Sequence, residues 1–142
     1  MKACVLDASV VTRWWFDEAD TSLSGQSMSF LRAHRAGTLA IHVPDLLLIE
    51  VGNAFWKLVR FSGWPLAAAR SALDQLGYAD LAVHASADLV AAAFEIAASH
   101  GITVYDAIYV CLAAGLDLPL FTADDRLVGK IGAAFPFVRS IA

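Results

Sequence analysis

The stretch LAIHVPDLLLIEVGNAFWKLVRF, residues 39–61, joins a short apolar run to a long segment with helical periodicity. Residues 39–43 are predicted to form a buried strand. Pro44 and Asp45 are predicted to open a helix that reaches about residue 61, with the proline in its first turn. Apolar side chains at helical spacing cover much of the circumference of this helix. A strand followed at once by a helix is the repeating unit of parallel sheets.

The same alternation extends over the rest of the chain. Further strands are predicted at residues 2–6, 81–83, 118–122 and 137–141. Further helices are predicted at residues 10–16, 22–36, 66–76, 86–100, 104–115 and 124–131. Ser9 is expected to cap the first helix, and Gly37 and Gly101 are expected to end two of the others. Strands that alternate with helices predict an α/β fold with a parallel sheet, whose ligands collect beyond the carboxyl ends of the strands.

Length and composition agree with this prediction. The 142 residues suit one domain, residues 1–142, and 58% of them are hydrophobic while only 17% are charged. So apolar a chain is not expected to be disordered. A parallel sheet covered by helices on both faces would bury that much apolar sequence.

Several classes of protein are disfavoured. Charged residues or histidines interrupt every apolar stretch well before about 18 residues, so no membrane span is expected. Asp7 cuts the short apolar run at the start, which makes a poor signal peptide. Cys4 and Cys111 fit no disulfide framework and are predicted to be core residues, which favours a cytoplasmic location. The net charge of −4 argues against nucleic-acid binding, unless several acids cluster around a cation.

Four of the fourteen acids occupy positions that suggest a shared site. Asp7 follows the first strand, Glu50 lies on the helix after the second strand, Asp106 heads a late helix, and Asp124 follows a late strand. A doubly wound sheet brings these four places to one edge.

Each acid also has an ordinary structural explanation. Asp7 could be a helix N-cap, and Glu50 could face solvent. Asp106 has the Thr-x-x-Asp spacing of a capping box with Thr103. The residues TADD, 122–125, repeat that spacing between the threonine and the last aspartate. The coincidence of all four places at one edge nevertheless favours a common site.

Four carboxylates at one edge need a cation. Two unit charges about 4 Å apart repel by about 4 kcal/mol at an effective dielectric constant of 20. Oxygen ligands without histidine or cysteine suit Mg²⁺ or Mn²⁺, and Mg²⁺ usually keeps several waters. Such ions can activate a water and stabilise the leaving oxygen of a phosphodiester.

Four segments together resemble the motifs of the PIN domain, and more narrowly those of VapC-type toxins of type II toxin–antitoxin pairs. They are VLDAS at 5–9, PDLLLIEVGNAFWK at 44–57, HGITVYDAIYVCLA at 100–113 and LFTADDRL at 120–127. Each motif is weak alone, but the ordered set spans nearly the whole chain.

The resemblance implies a three-layer α/β/α sandwich around a parallel sheet and Mg²⁺- or Mn²⁺-dependent endoribonuclease activity on RNA. It further implies a homodimer, inhibited by a small VapB-like antitoxin whose C-terminal segment lies across the active-site groove. By position, the catalytic and metal-binding acids are Asp7, Glu50, Asp106 and Asp124. The supporting polar residues are Ser9, Asn53 and Thr122. Asp125 exceeds the minimum pattern and is predicted to be a helix cap.

The remaining polar and aromatic residues are less informative. A solvated loop is predicted for Asp17, Glu18 and Asp20. Most aromatic side chains in residues 14–64 are predicted to pack in the core, with one or two exposed. Solvated surface is the simpler interpretation of four basic residues, which could otherwise contact RNA phosphates near the acidic edge: Arg13, Lys57, Arg60 and Arg126.

Three other functions fit less well. A receiver-type signalling domain needs an acidic pair after the first strand and a lysine just after a late strand, whereas Asp7 has no acidic neighbour and Lys130 lies eight residues past Thr122. A haloacid-dehalogenase-like phosphatase expects a second acid where Ser9 stands. A metal-free interaction module leaves the four acids unexplained. A PIN-like nuclease of RNA processing, without a toxin role, remains open.

Overall fold

The computed structural model describes residues 1–16 and 21–142, so the predicted loop acids Asp17, Glu18 and Asp20 lie outside the described residues. In this part of the chain the strands are β1 (Lys2–Leu6), β2 (Leu39–Pro44), β3 (Ala82–His84), β4 (Leu120–Thr122) and β5 (Val138–Ser140). The helices are α1 (Ala8–Val11), α2 (Thr21–Arg35), α3 (Leu46–Ser62), α4 (Leu66–Gly77), α5 (Val90–His100), α6 (Val104–Leu116) and α7 (Asp125–Ile131). Two short 3₁₀ segments are Thr12–Trp15 and Ser86–Leu89.

The strands form one parallel sheet in the order β3-β2-β1-β4-β5. From β1 the chain first winds to one side through β2 and β3, and then returns to the other side through β4 and β5. The winding direction reverses between β1 and β4, which leaves a crevice beyond their carboxyl ends. The predicted three-layer α/β/α fold around a parallel sheet is confirmed.

The core explains why this apolar sequence folds around a parallel sheet. Three consecutive residues of β1, Cys4, Val5 and Leu6, are at most 1% exposed, so both faces of this strand are covered. Helix α6 packs across β1, β2 and β4, and its residues 107–113 are all buried. Cys4 and Cys111 are free and buried, as predicted. Among the described residues, no single helix is long and apolar enough to cross a membrane.

Three details of the predicted elements are wrong. The first helix begins at Ala8, and Ser9 lies inside it instead of capping it. Pro44 ends β2 and does not enter the first turn of α3, because it is still paired with His84 of β3. The helix predicted over 86–100 is a 3₁₀ turn followed by α5, whose end at Gly101 has the left-handed conformation (φ +66°) that glycine adopts without strain.

Candidate active site

Neighbouring strands and two helices bring the four predicted acids to the crevice. Asp7 directly follows β1, and Asp124 lies two residues beyond β4, which pairs with β1 through Leu6 and Phe121. Glu50 lies in the second turn of α3, and Asp106 lies in the first turn of α6. Two cavities of about 740 and 620 Å³ lie elsewhere on the molecule, and none of the four acids lines either of them.

Asp7 is buried and held by two hydroxyl groups. Ser9 Oγ donates to Asp7 Oδ2 at 2.6 Å, and Thr122 Oγ1 donates to the same oxygen at 2.8 Å. The backbone N–H groups of Ala123 and Asp124 donate to these two hydroxyls at 3.0 Å each, which orients both hydroxyl protons toward the carboxylate. Asp7 occupies the N-cap position of α1 but its side chain caps nothing. These hydrogen bonds thereby fix the buried carboxylate in the crevice.

The cap of α7 is Asp124, and the prediction that Asp125 would be the cap is wrong. Asp124 Oδ1 accepts from the backbone N–H groups of Arg126 and Leu127 at 3.0 and 3.1 Å. Asp125 Oδ1 instead accepts from Ser140 Oγ at 2.5 Å, on the strand beside β4. Because capping uses Oδ1, the other oxygen of Asp124 remains available to a ligand.

The predicted capping bond at α6 is confirmed. Thr103 Oγ1 accepts from the backbone N–H of Asp106 at 3.1 Å. The cap uses the backbone of Asp106 and leaves its carboxylate for other partners. A carboxylate in the first turn also interacts favourably with the positive end of the helix dipole.

A tyrosine that the sequence analysis did not single out orients Glu50. Tyr109 is 1% exposed, and its hydroxyl donates to Glu50 Oε1 at 2.7 Å. Tyr109 lies three residues after Asp106, so one face of α6 carries both side chains toward the crevice. The signal in the sequence that could have identified Tyr109 is a polar hydroxyl in the uncharged run after Asp106, three residues from that acid and so on the same face of the helix. Asn53 lies on α3 one turn after Glu50, is exposed, and lines the same cavity as Glu50.

The pKa shifts place the carboxyl groups within each other's fields. Burial raises the pKa of Asp7, opposed by its hydrogen bonds from Ser9 and Thr122. Burial also raises the pKa of Glu50, with the hydrogen bond from Tyr109 lowering it and the charges of Asp7 and Asp106 adding to the rise.

Asp106 completes this electrostatic network. Burial is the largest cause of its raised pKa, followed by the charges of Asp7 and Asp124. Asp106 acts on Glu50 and is itself acted on by Asp7 and Asp124, so it is the member of the group that is coupled to all three others. Four carboxylates that repel one another in a crevice form a site that favours a cation.

The donor set fits a hard divalent ion better than a soft one. Every side-chain donor among the four acids is a carboxylate oxygen, which suits Mg²⁺ or Mn²⁺. Within residues 1–16 and 21–142, no three histidine, cysteine, aspartate or glutamate side chains are already arranged around a single ion position. Mg²⁺ usually takes one or two carboxylates directly and keeps several waters.

The raised pKa values predict how stability depends on pH without metal. Between the ordinary carboxyl pKa of about 4 and the raised values, the folded state binds more protons than the unfolded state, so these groups destabilise the fold as pH rises. In EDTA, Asp7→Asn is therefore expected to gain stability relative to the parent chain as pH rises from about 4 to about 8. Urea unfolding at several pH values measures this difference, and a difference independent of pH would contradict the raised pKa of Asp7.

Comparisons with known proteins agree with the geometry. A family model described as PIN domain matches residues 4–131. Ribonuclease VapC3 of Pyrobaculum aerophilum is 32% identical over 131 residues, which cover 91% of this chain and 95% of that protein. Ribonuclease VapC1 of Mycobacterium tuberculosis is 35% identical over 135 residues, which cover 93% of both. The crystal structure of a Pyrobaculum aerophilum protein superposes with a TM-score of 0.72 at 23% identity, over 99% of this chain and 91% of that one, and is a likeness of fold.

Proposed function

Because the chain belongs to the PIN-domain family and has VapC proteins as relatives, we propose that it is an Mg²⁺- or Mn²⁺-dependent endoribonuclease. It hydrolyses RNA phosphodiester bonds and acts as the toxin of a toxin–antitoxin pair. The observation that carries the proposal is the placement of Asp7, Glu50, Asp106 and Asp124 at the carboxyl edge of the sheet, where the charge of Asp7 acts on Glu50 and Asp106 and the charge of Asp124 acts on Asp106.

Asp7 and Asp106 are the residues that would hold the ion directly, because the charge of Asp7 raises the pKa of Asp106 and α6, which carries Asp106, packs against β1, which Asp7 directly follows. Glu50 and Asp124 would bind waters around it. A bound divalent ion would lower the pKa of an attacking water and neutralise charge on the phosphodiester.

The chain's own residues would position one carboxylate and supply another that accepts the proton of the attacking water. Ser9 and Thr122 hold Asp7, which keeps this carboxylate from swinging toward its neighbours. Tyr109 occupies Oε1 of Glu50, so Oε2 is the atom that accepts the proton of the attacking water. A carboxyl whose pKa is raised toward neutrality is better suited to act as a general base than an ordinary one.

The partners follow from the proposed toxin role. A small VapB-like antitoxin would inhibit the enzyme, and both would act in the cytoplasm, where the RNA is.

We propose a homodimer as the functional assembly, with Mg²⁺ or Mn²⁺ in each copy. Exposed apolar side chains support a protein interface, since Ile49 and Trp56 are 72% and 54% exposed and lie seven residues apart on one face of α3.

Metal removal tests the proposed chemistry. EDTA is expected to abolish cleavage of single-stranded RNA, and millimolar Mg²⁺ or Mn²⁺ is expected to restore it. The same ions should raise the melting temperature, because a ligand that binds only the folded state at ten times its Kd adds about 1.4 kcal/mol to the free energy of unfolding. Cleavage that persists in EDTA, or a melting temperature that responds to Zn²⁺ but not to Mg²⁺ or Mn²⁺, would contradict the proposal.

A second candidate is an RNA-processing nuclease with the same chemistry and no toxin role. Expression of the chain distinguishes the two. Growth arrest that is relieved by a small protein encoded beside it supports the toxin, whereas normal growth with active cleavage supports RNA processing.

A further inference from the structure

One cavity adjoins the acids on the side of α3. This α3 cavity has a volume of about 400 Å³, and its lining includes Ser9, Arg13, Glu50 and Lys57. Glu50 and Lys57 are seven residues apart and therefore lie on one face of α3. Glu50, one of the four acids, and the cationic Lys57 therefore line the same cavity.

A second cavity adjoins the acids on the side of α7. This α7 cavity has a volume of about 590 Å³, and its lining includes Asp106, Asp124, Arg126 and Lys130. Lys130 Nζ donates to the carbonyl of Gly101 at 2.7 Å, which fixes this ammonium group against the end of α5. Each cavity is therefore lined both by acids of the site and by cationic side chains: Glu50 with Lys57 in the α3 cavity, and Asp106 and Asp124 with Arg126 and Lys130 in the α7 cavity.

This arrangement matters because the acids and the ion that they would hold can attract only the scissile phosphate. The neighbouring phosphates carry charge that the carboxylates repel, by about 4 kcal/mol for two unit charges about 4 Å apart at an effective dielectric constant of 20. Cations outside the carboxylates are therefore needed to hold the rest of the strand. Phosphate contacts of this kind set the register of a nucleic acid without reading its bases.

Building on the proposed ribonuclease function, we infer that a single RNA strand crosses the acidic centre from the α3 cavity to the α7 cavity. Lys57 binds the backbone on one side of the scissile phosphate, and Arg126 and Lys130 bind it on the other. The strand is held at two points, so substrates need nucleotides on both sides of the cut.

The recessed acids favour a single strand over a duplex. Asp7 is only 9% exposed, and Glu50 and Asp106 are each about half-buried. The scissile phosphate must enter the crevice to reach them, which an unpaired backbone does without breaking base pairs. Basic grooves that follow the backbone are the usual means of binding single strands.

Steady-state cleavage of single-stranded RNA by the full chain tests the inference. Lys57→Ala and Arg126→Ala are each expected to raise KM roughly tenfold with kcat little changed, since a charge-assisted hydrogen bond contributes about 1.5 kcal/mol. Each variant should also lower the slope of log KM against log salt concentration by about 0.7, the value for one phosphate contact of a single strand.

Arg60→Ala is the matched control. Arg60 is an exposed cation on α3, three residues after Lys57, but it lines neither cavity and its guanidinium lies 5.5 Å from the ring centre of Phe61. Its KM should change by less than about twofold, because only distant screened charge is lost. An effect of Arg60→Ala equal to that of Lys57→Ala would overturn the path.

Truncated substrates test the two sides separately. RNA shortened on one side of the cut should lose the effect of Lys57→Ala alone, and RNA shortened on the other side should lose the effect of Arg126→Ala alone. Equal effects of both truncations on both variants, or preferred cleavage of duplex RNA, would overturn the inference. If the parent chain cleaves RNA and the variants have an unchanged KM, only the path is refuted. If the parent chain cleaves no RNA, both the proposed function and the path are refuted.

Discussion

Asp7→Asn is expected to reduce RNA cleavage at least about a thousandfold, because a catalytic ion contributes several kcal/mol and each 1.4 kcal/mol is about a factor of ten in rate. The variant should still fold. Asparagine is isosteric with aspartate, and its carbonyl oxygen can accept the hydrogen bonds that Ser9 and Thr122 donate to Asp7. Loss of a buried charge should make the metal-free variant at least as stable as the parent near neutral pH.

The combination of lost activity with retained stability distinguishes a site residue from a structural one. Asp117→Asn is the matched control, because Asp117 is exposed at the end of α6 in a left-handed conformation (φ +55°) that asparagine also tolerates. Single-turnover cleavage and thermal unfolding measure both quantities. Full activity in Asp7→Asn, or the same loss in Asp117→Asn, would show that Asp7 is not part of a metal site.

Tyr109→Phe is expected to lower cleavage about tenfold to a hundredfold, the range found when a group that orients a metal-site residue is removed. Phenylalanine fills the same buried space but leaves Glu50 Oε1 without its donor. Because a hydrogen bond to the charged form lowers a carboxyl pKa, its loss raises the pKa of Glu50 further. Burial raises the pKa of Tyr109 far above its usual value, so in the parent chain its hydroxyl always donates.

The pH–rate profile separates positioning from packing. If Glu50 is the base, the acidic limb of the profile should move to higher pH in Tyr109→Phe, since Glu50 then loses its proton at higher pH. Tyr105→Phe, one turn earlier on α6 and 62% exposed, should change neither rate nor profile. If the profile of Tyr109→Phe keeps its shape and the rate falls by the same factor at every pH, Tyr109 contributes only to packing and does not act through Glu50.

The order of strands and helices could be predicted because it depends on local pattern. The runs at 2–6 and 39–43 are apolar without alternation, which is typical of strands buried on both faces, and glycines at 37 and 101 end helices by a conformation that other residues avoid. The edge that collects the acids followed from the winding of a parallel sheet. The fold, and the edge of the sheet at which the four acids meet, could therefore be predicted from the sequence.

Contacts between distant residues could not be predicted in the same way. Asp124 and Asp125 are equally good caps by composition, and Ser140 on β5 decides between them by binding Asp125. The hydrogen bond from Tyr109 to Glu50 joins residues 59 positions apart, so no local pattern shows it. Thr122 has the spacing of a cap, but its hydroxyl is directed to Asp7 by the pairing of β1 with β4.

Diffraction from a crystal of the protein soaked in Mn²⁺, recorded near the manganese absorption edge, locates the ion directly. The account predicts an anomalous peak in the crevice between the carboxyl ends of β1 and β4, within about 2.2 Å of carboxylate oxygens of Asp7 and Asp106. Waters should connect that peak to Glu50 and Asp124. A peak elsewhere on the molecule at full Mn²⁺ saturation, with none in this crevice, would contradict it.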